Sequence, residues 1–352
     1  MAEFCIETYI NGLPENIDII NVNGRQINYL PDLTRFTNLQ ILNCANNQLT
    51  KLPPLNDKLK NLFCHDNQLN VLPHLNVNLQ LLNCANNQLT ELPPLNDNLV
   101  KLYCNNNQLT ALPPLNVNLQ ILGCDNNQLT ELPPLNDKLV KLFCHDNQLN
   151  VLPHLNVNLQ LLCCHSNQLT KLPSLNDKLE ILNCHNNQLT ALPPLNVVLQ
   201  DLYCHNNQLT KLPPLNVNLY ILFCSNNQLT KLPSLNDKLQ TLYCSNNQLT
   251  MLPTLNKKLR LLLLTYDYNP IYEIIGSDNL FIINKKLQIL HKFCHLYYSL
   301  KFKTQFRDFL WKKIREPKII QNYHPSYLDK LLIDDAEGTE DIDLDMVLDN
   351  WL

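Results

Sequence analysis

Cysteine is the residue type with the most obvious chemistry in this chain, because eleven of its 14 cysteines recur at a constant spacing of 20 residues. We call these eleven equivalent positions the cysteine column. A zinc site built from cysteine needs a short Cys-x2–4-Cys spacing and four convergent ligands, and the cysteine column offers neither. Neighbouring parallel strands lie about 4.8 Å apart, slightly beyond the Cβ separation that a disulfide prefers. We therefore predict reduced, buried, small hydrophobic side chains. The column consists of Cys44, Cys64, Cys84, Cys104, Cys124, Cys144, Cys164, Cys184, Cys204, Cys224 and Cys244.

Histidine forms a second column, one position after the cysteines. It holds His65 and four consecutive members, His145, His165, His185 and His205. Imidazoles at strand spacing could share a metal ion, or repel one another when protonated near about pH 6. No column of carboxylates accompanies them to orient the rings. The sequence therefore favours a polar ladder enlarged by repeat copying, with no metal and no cofactor, over a metal site or a pH sensor.

Aromatic residues form a third column, one position before the cysteines. Tyrosine and phenylalanine supply a large contact area at low entropic cost, so an exposed aromatic row is a reasonable protein-binding surface. The alternative is that the rings only stack on their cross-strand neighbours. We predict that this column binds a partner together with the histidines. Its members are Phe63, Tyr103, Phe143, Tyr203, Phe223 and Tyr243.

The elements that position these columns follow from an internal repeat of 20 residues. Eleven regular units run over residues 39–258 with the pattern L-x-x-L-x-C-x-x-N-x-L-x-x-L-P-x-L. A fixed period of this length indicates a solenoid, in which each unit buries its apolar face against its neighbours. Leu42 and Cys44 are two residues apart, so they point to one side of a short strand. The residues between and beside them point to the other side.

Asparagine occupies one position in all eleven regular units, three residues after each cysteine. Its side chain carries both a donor and an acceptor, so it can satisfy backbone groups in the turn that leaves the strand. We call the part of each unit that leads from one strand to the next the return segment. Each return segment carries a proline, such as Pro53, which precludes a regular helix and favours an extended path. We predict a structural ladder of Asn47, Asn67, Asn87, Asn107, Asn127, Asn147, Asn167, Asn187, Asn207, Asn227 and Asn247.

Motifs and charge exclude several classes of function. The chain has no G-x-S-x-G, P-loop, H-E-x-x-H or G-x-G-x-x-G motif, and only 5 glycines are available for phosphate-binding loops. Residues 17–268 carry 16 Lys and Arg against 15 Asp and Glu, so they lack a basic footprint for nucleic acid. We see no signal peptide and no membrane-spanning apolar run. We predict a non-enzymatic intracellular protein of the cytoplasm that binds a protein or peptide.

The repeat period ends near residue 280, and the remaining sequence has a different character. Apolar residues follow helical spacing, and residues 281–330 carry 11 basic and 3 acidic groups. Residues 331–352 carry 8 acidic groups and no basic ones, so the two charges can neutralise each other. We predict a basic helical module over residues 281–333 and an acidic tail over residues 334–352, with no nucleic-acid site.

The repeat pattern resembles that of leucine-rich repeat proteins, and the short period and L-P-x-L return resemble secreted bacterial effectors. The resemblance implies a right-handed solenoid of the α/β-solenoid class, mostly β, with a parallel concave sheet and a thin extended convex side. A small α-helical C-terminal module follows. An N-terminal cap segment is expected over residues 1–16, and an array of about 13 units over residues 17–280.

The segments Trp311–Ile319 and Tyr323–Pro325 and the acidic end resemble the C-terminal tails of giant-virus proteins of amoebae. This resemblance implies a mimivirus-like origin and carries no known activity. Some bacterial effectors of this type have a ubiquitin-ligase domain with a Cys-x-Asp active site. Here Cys294 is followed by His295 and Leu296, so ligase activity is not expected.

Two functions of different classes follow from these features. The first is an interaction scaffold whose concave face binds a protein of the host cell. The second is an adaptor, whose C-terminal module recruits cellular machinery such as a ubiquitin ligase to cargo held by the array. A thiol enzyme using Cys163 or Cys294 with a nearby histidine is a third, and no motif supports it.

Overall fold

The computed structural model describes residues 4–255, 263–276 and 280–315. In these residues thirteen short parallel strands form one sheet, in their order along the chain. The predicted solenoid with a parallel sheet is confirmed. The strands are β1 (Ile19–Asn21), β2 (Ile41–Asn43), β3 (Asn61–Phe63), β4 (Leu81–Asn83), β5 (Lys101–Tyr103), β6 (Ile121–Gly123), β7 (Lys141–Phe143), β8 (Leu161–Cys163), β9 (Ile181–Asn183), β10 (Asp201–Tyr203), β11 (Ile221–Phe223), β12 (Thr241–Tyr243) and β13 (Leu264–Thr265).

The helices precede and follow the strands along the chain. They are α1 (Ile6–Asn11), α2 (Pro270–Ile275) and α3 (Leu280–Leu310), and α3 continues as a π-helical turn, Trp311–Arg315. Between β2 and β12 the return segments contain no helix, which confirms the thin extended side that the recurring prolines indicate. Among the described residues, no helix combines the length and the apolar character that crossing a membrane requires.

The period of 20 residues sets the register of the sheet. Leu42 pairs with Leu62 and Asn43 with Phe63, and the same offset continues to β12. Each position of the repeat is therefore aligned with its equivalents. A column of the sequence becomes a row of neighbouring side chains across the strands.

The core lies behind the sheet and has the same composition in each regular unit. In the unit of β8, the side chains of Leu159, Leu162, Cys164 and Leu169 are all 0% exposed. Burial of one leucine side chain contributes roughly 1.5–3 kcal/mol. Because every unit supplies equivalent inward groups, each gains this stabilisation from its neighbours.

The first turn of the solenoid packs against the N-terminal helix. Ile6 and Ile10 of α1 are buried. The Tyr9 hydroxyl donates to the carbonyl of Asn21 in β1 at 3.4 Å, and the guanidinium of Arg35 donates to the carbonyl of Ile10. These contacts join α1 to the first turn of the solenoid.

The chain divides into two compact units, Met1–Leu287, which contains the array, and Gln288–Leu352. Ile283 and Leu287 of α3 are buried, and Asn284 Oδ1 accepts a hydrogen bond from the Leu255 amide at 3.2 Å. The start of α3 therefore completes the core of the first unit. Residues 316–333 of the predicted module and the acidic tail 334–352 lie outside the described residues.

Candidate functional site

The candidate site is the outward face of the sheet, defined as the aromatic column, the histidine column and the residue that follows each histidine-column position. That following residue adopts a left-handed backbone, with φ between 51° and 55° in every regular unit. Asparagine and aspartate tolerate this conformation better than most residues. Their side chains form a row, in which Asn206 Nδ2 donates to Asn186 Oδ1 at 2.6 Å and Asn226 Nδ2 donates to Asn206 Oδ1 at 2.5 Å.

The asparagine ladder of Asn47 to Asn247 lies beneath this turn. Asn167 donates from Nδ2 to the carbonyls of Cys144, Cys164 and His165 at 3.0, 3.2 and 3.1 Å. Its Oδ1 accepts from the Leu149 amide at 2.9 Å. Each side chain therefore joins its own turn to the preceding unit. Equivalent bonds recur along the ladder.

A second asparagine ladder, on the return segments, was missed by the sequence analysis. Asn156 donates from Nδ2 to the carbonyls of Asn136 and Leu139 at 2.8 and 3.1 Å, and its Oδ1 accepts from the Asn158 amide at 2.8 Å. The signal was an asparagine at this position in every regular unit, close to backbone groups that need partners. Members that bond the preceding unit are Asn56, Asn76, Asn116, Asn136, Asn156, Asn176, Asn196, Asn216 and Asn236.

The first ladder has a further member that the regular spacing conceals. Asn269 donates to the carbonyls of Cys244 and Tyr266 at 2.9 and 3.0 Å and accepts from the Leu249 amide at 3.0 Å. Its side chain is buried. The unit after Asn247 is two residues longer than the period, so a search at fixed spacing passes over this residue.

Four imidazoles stack across β7 to β10. The ring centroids of His145 and His165 are 4.1 Å apart, those of His165 and His185 are 4.3 Å apart, and those of His185 and His205 are 4.2 Å apart. Burial, and then the charges of neighbouring imidazoles, lower the pKa of His165 and of His185 to about 4. Burial also lowers the pKa of His205. These rings are therefore neutral at neutral pH.

We expect the free energy of unfolding to fall as the pH is lowered from about 6.5 to about 4. The pKa values of His165 and His185 are lower in the folded state, so the unfolded state binds more protons in this range and acid favours unfolding. Asp146 opposes the shift without cancelling it. Both rings are partly exposed, so we expect a loss of about 1 kcal/mol for each.

Urea denaturation at several pH values, in buffer with a chelator, measures this effect. The comparison is with a variant carrying His165→Asn and His185→Asn, because asparagine occupies the same column at Asn105. The variant should lose less stability on acidification than the natural chain. An identical pH dependence of the two proteins would contradict the prediction.

Two single carboxylates lie beside the histidine stack, although no column of carboxylates accompanies it. Asp146 Oδ2 is 2.8 Å from His145 Nδ1 and 3.9 Å from His165 Nε2. Asp125 Oδ2 is 3.5 Å from His145 Nε2. One potential ligand atom from each of His145, Asp146 and His165 lies within 4.8 Å of the other two. Asp125 belongs to the histidine column, whereas Asp146 belongs to the next column, at the left-handed turn.

The aromatic side chains are half-buried and divide into two groups. Tyr203 and Phe223 pack edge to face with centroids 5.0 Å apart, and Phe223 and Tyr243 stack at 4.3 Å. Phe223 also lies 6.1 Å from the ring of His205. We call Tyr203, Phe223 and Tyr243 the aromatic patch. The other group is Phe63, Tyr103 and Phe143, whose paired strand neighbours are Asn43, Asn83, Gly123 and Cys163.

The cysteine column faces the core, and its eleven thiols are free and buried. Burial raises the pKa of Cys44, Cys84 and Cys184 to about 12. Burial also raises the pKa of the outward Cys163 to about 11. An activated thiol nucleophile needs a lowered pKa, so the shift at Cys163 opposes a thiol-enzyme role.

We expect alkylation of the folded chain at about pH 7.5 to modify Cys5 first, because its thiol is exposed. Cys163 and Cys294 should react more slowly, because their thiols are half-buried. The column should react only after denaturation, when all 14 cysteines are available. Mass spectrometry of the labelled peptides measures this. Labelling of the column in the folded chain would contradict its burial.

Comparisons with known proteins agree with this architecture. A family model described as leucine-rich repeats in two copies matches residues 77–117 and 97–137. YopM from Yersinia pestis, a leucine-rich effector protein, is 32% identical with a TM-score of 0.65, over 75% of this chain and 80% of that one. YopM from Yersinia enterocolitica is also 32% identical, with a TM-score of 0.64, over 70% of this chain. That match spans only 59% of the YopM chain.

More distant structures share the fold alone. A chain from an octameric complex of Latrophilin 3, Unc5D and the leucine-rich repeat part of FLRT2 is 22% identical, with a TM-score of 0.54. It covers 66% of this chain, and 82% of its own length is matched. No curated protein sequence matched the chain. The repeat pattern, the parallel sheet and the similarity to YopM together show that this chain belongs to the leucine-rich repeat family.

Proposed function

We propose that the chain is a non-enzymatic scaffold that binds a protein partner on the outward face of its sheet. Leucine-rich repeat solenoids typically serve as interaction scaffolds, and their extended faces are the usual binding surfaces. The observation that carries the proposal is the aromatic patch of Tyr203, Phe223 and Tyr243. It adjoins the histidine stack, so one surface offers apolar contact and hydrogen-bonding groups side by side.

The packing of the patch supports a binding role. The rings of Tyr203, Phe223 and Tyr243 hold one another at 5.0 and 4.3 Å, so a partner would meet an ordered surface. Ordered aromatic side chains lose little conformational entropy on binding and often dominate the binding energy. Phe63, Tyr103 and Phe143 lack such support and provide a matched comparison on the same face.

The test compares two triple variants in a pull-down followed by mass spectrometry. One carries alanine at Tyr203, Phe223 and Tyr243, and the other carries alanine at Phe63, Tyr103 and Phe143. A partner of the patch should be captured by the natural chain and by the second variant. Its affinity for the first variant should fall by more than about a hundredfold, because each aromatic hot spot contributes about 2 kcal/mol or more. Capture undiminished by either replacement would contradict the proposal.

The prediction of which organism supplies the partner rests on the sequence alone. The tail resemblance to giant-virus proteins suggests an amoebal host, and most of that tail lies outside the described residues. YopM from Yersinia pestis, which this chain resembles, is described as an effector protein. Lysates of amoebal and mammalian cells would be compared, and the giant-virus origin stays a prediction.

A second candidate is the adaptor, in which the C-terminal helix recruits cellular machinery to cargo on the array. The specific observation is the exposure of Phe293, Phe302 and Trp311 on α3. Several exposed large apolar side chains on one helix often mark an interaction site. A truncation after Leu287 keeps the buried start of α3 and removes these residues. An adaptor should lose one set of partners on truncation, whereas a simple scaffold should keep all of them.

A further inference from the structure

We propose that His145, Asp146 and His165 form a binding site for one divalent transition metal ion of the zinc type. The site lies on the outward face, where β7 and β8 end. It would use one ring nitrogen of each histidine and one carboxylate oxygen, with the remaining position open to solvent. This inference goes beyond the protein-binding role and does not depend on it.

The separations of the donor atoms suit a small tetrahedral ion. Ligands about 2.0–2.1 Å from zinc lie about 3.4 Å from one another in tetrahedral geometry. Asp146 Oδ2 is 2.8 Å from His145 Nδ1 and 3.9 Å from His165 Nε2, so the observed values bracket that separation. The rings of His145 and His165 lie within 11° of parallel, and an imidazole nitrogen coordinates in its own ring plane, so metal binding would require both rings to rotate out of the stack toward Asp146.

The backbone holds the three residues in place. The Asp146 amide donates to the carbonyl of His165 at 3.1 Å, which joins the two units directly at the site. Asp146 has φ of 51°, so its carboxylate comes from a fixed left-handed turn. The backbone positions of these ligands are therefore set before a metal arrives, whereas the ring orientations are set by the stack and would change on binding.

A further carboxylate supports the assignment independently. His145 faces Asp146 through Nδ1, and its Nε2 lies 3.5 Å from Asp125 Oδ2. Metal-binding histidines commonly donate their second ring N–H to a carboxylate, which fixes the tautomer and orients the ring. At 3.5 Å, Asp125 Oδ2 would have to move closer to His145 Nε2 to accept such a bond. Two imidazoles and a carboxylate favour zinc and similar transition metals over calcium and magnesium, which prefer all-oxygen sites.

The chain contains its own comparison for this site. The sequence FCHDNQLN occurs at residues 63–70 and again at residues 143–150. The first copy has alanine on both sides of its histidine, at Ala45 and Ala85, where the second copy has Asp125 and His165. His65 and Asp66 therefore lack both the second imidazole and the supporting carboxylate. The same dipeptide should bind metal in one copy only.

The experiment titrates zinc into the full chain by calorimetry in buffer free of chelators. We expect one tight equivalent, with affinity lowered at least about tenfold in His165→Ala and in Asp146→Asn. Both variants reproduce residues that the repeat already tolerates, Ala85 and Asn126. His65→Ala is the control and should bind as the natural chain does. Excess calcium should not displace the zinc.

Failure of the full chain to bind zinc would overturn the proposal, as would an equal loss of affinity in His65→Ala. Cysteine ligation is tested with cobalt, because thiolate ligands give an intense charge-transfer band and imidazole and carboxylate ligands do not. A thiolate band would overturn the proposal. A readout without variants is the imidazole nitrogen NMR spectrum, in which zinc should shift the signals of His145 and His165 and leave that of His65 unchanged.

Discussion

Replacing Asn167 by alanine is expected to lower the free energy of unfolding by about 3 to 5 kcal/mol. The change removes one acceptor from the Leu149 amide and one donor from each of three backbone carbonyls. A buried group left without a partner costs about 1–3 kcal/mol, and each further hydrogen bond about 1 kcal/mol. Asn167 is only 9% exposed, so water cannot replace these bonds well.

Urea denaturation followed by circular dichroism measures this loss. Gln168→Ala is the control, because Gln168 is the next residue and its side chain is exposed. We expect that control to change stability by less than about 0.5 kcal/mol. Comparable effects of the two substitutions would show that the ladder does not hold the units together.

Replacing Leu162 by alanine is expected to destabilise the chain by about 2 to 5 kcal/mol. Leu162 is the central residue of β8 and is 0% exposed, so truncation leaves a cavity between two units. The neighbouring units have the same backbone register and cannot shift to fill the space without breaking their own pairs. The loss should therefore lie toward the upper part of this range.

Leu161→Ala provides the matched control for this prediction. Leu161 is the same residue type in the same strand, but it faces outward and is only partly buried. Its replacement should cost less than about 1 kcal/mol. The ratio of the two effects, measured in the same denaturation series, reports how strictly the two faces of the strand differ. Equal losses would contradict the assignment of inward and outward positions.

The histidine stack shows where reasoning from columns stops. The sequence placed His145, His165, His185 and His205 in one row, and the structure gives centroid spacings of 4.1 to 4.3 Å. No column of carboxylates accompanies the rings, but single carboxylates do. Asp146 reaches His145 because the left-handed turn carries its side chain from the neighbouring column to the end of the strand.

The aromatic column shows a similar limit. All six members occupy equivalent positions, yet only Tyr203, Phe223 and Tyr243 form a packed patch, because they are consecutive across the sheet. The order of these residues along the sequence already implies that they are neighbours, because the register of the strands places residues 20 positions apart side by side. The particular edge-to-face and stacked arrangements depend on rotamers that periodicity does not encode.

The sequence by itself determined the solenoid, the parallel strands, the inward leucines and cysteines, and the alignment of equivalent positions. These features follow from local spacing, because a period of two residues sets the face of a strand and a period of 20 sets the register. Only the tertiary structure decided that Asp125 and Asp146 flank His145, that Asn269 extends the ladder and that Leu287 belongs to the first unit. Asp125 and His145 share a column, and the other contacts join residues from different columns or from irregular units. Backbone turns and side-chain rotamers, which repetition does not specify, determine their distances.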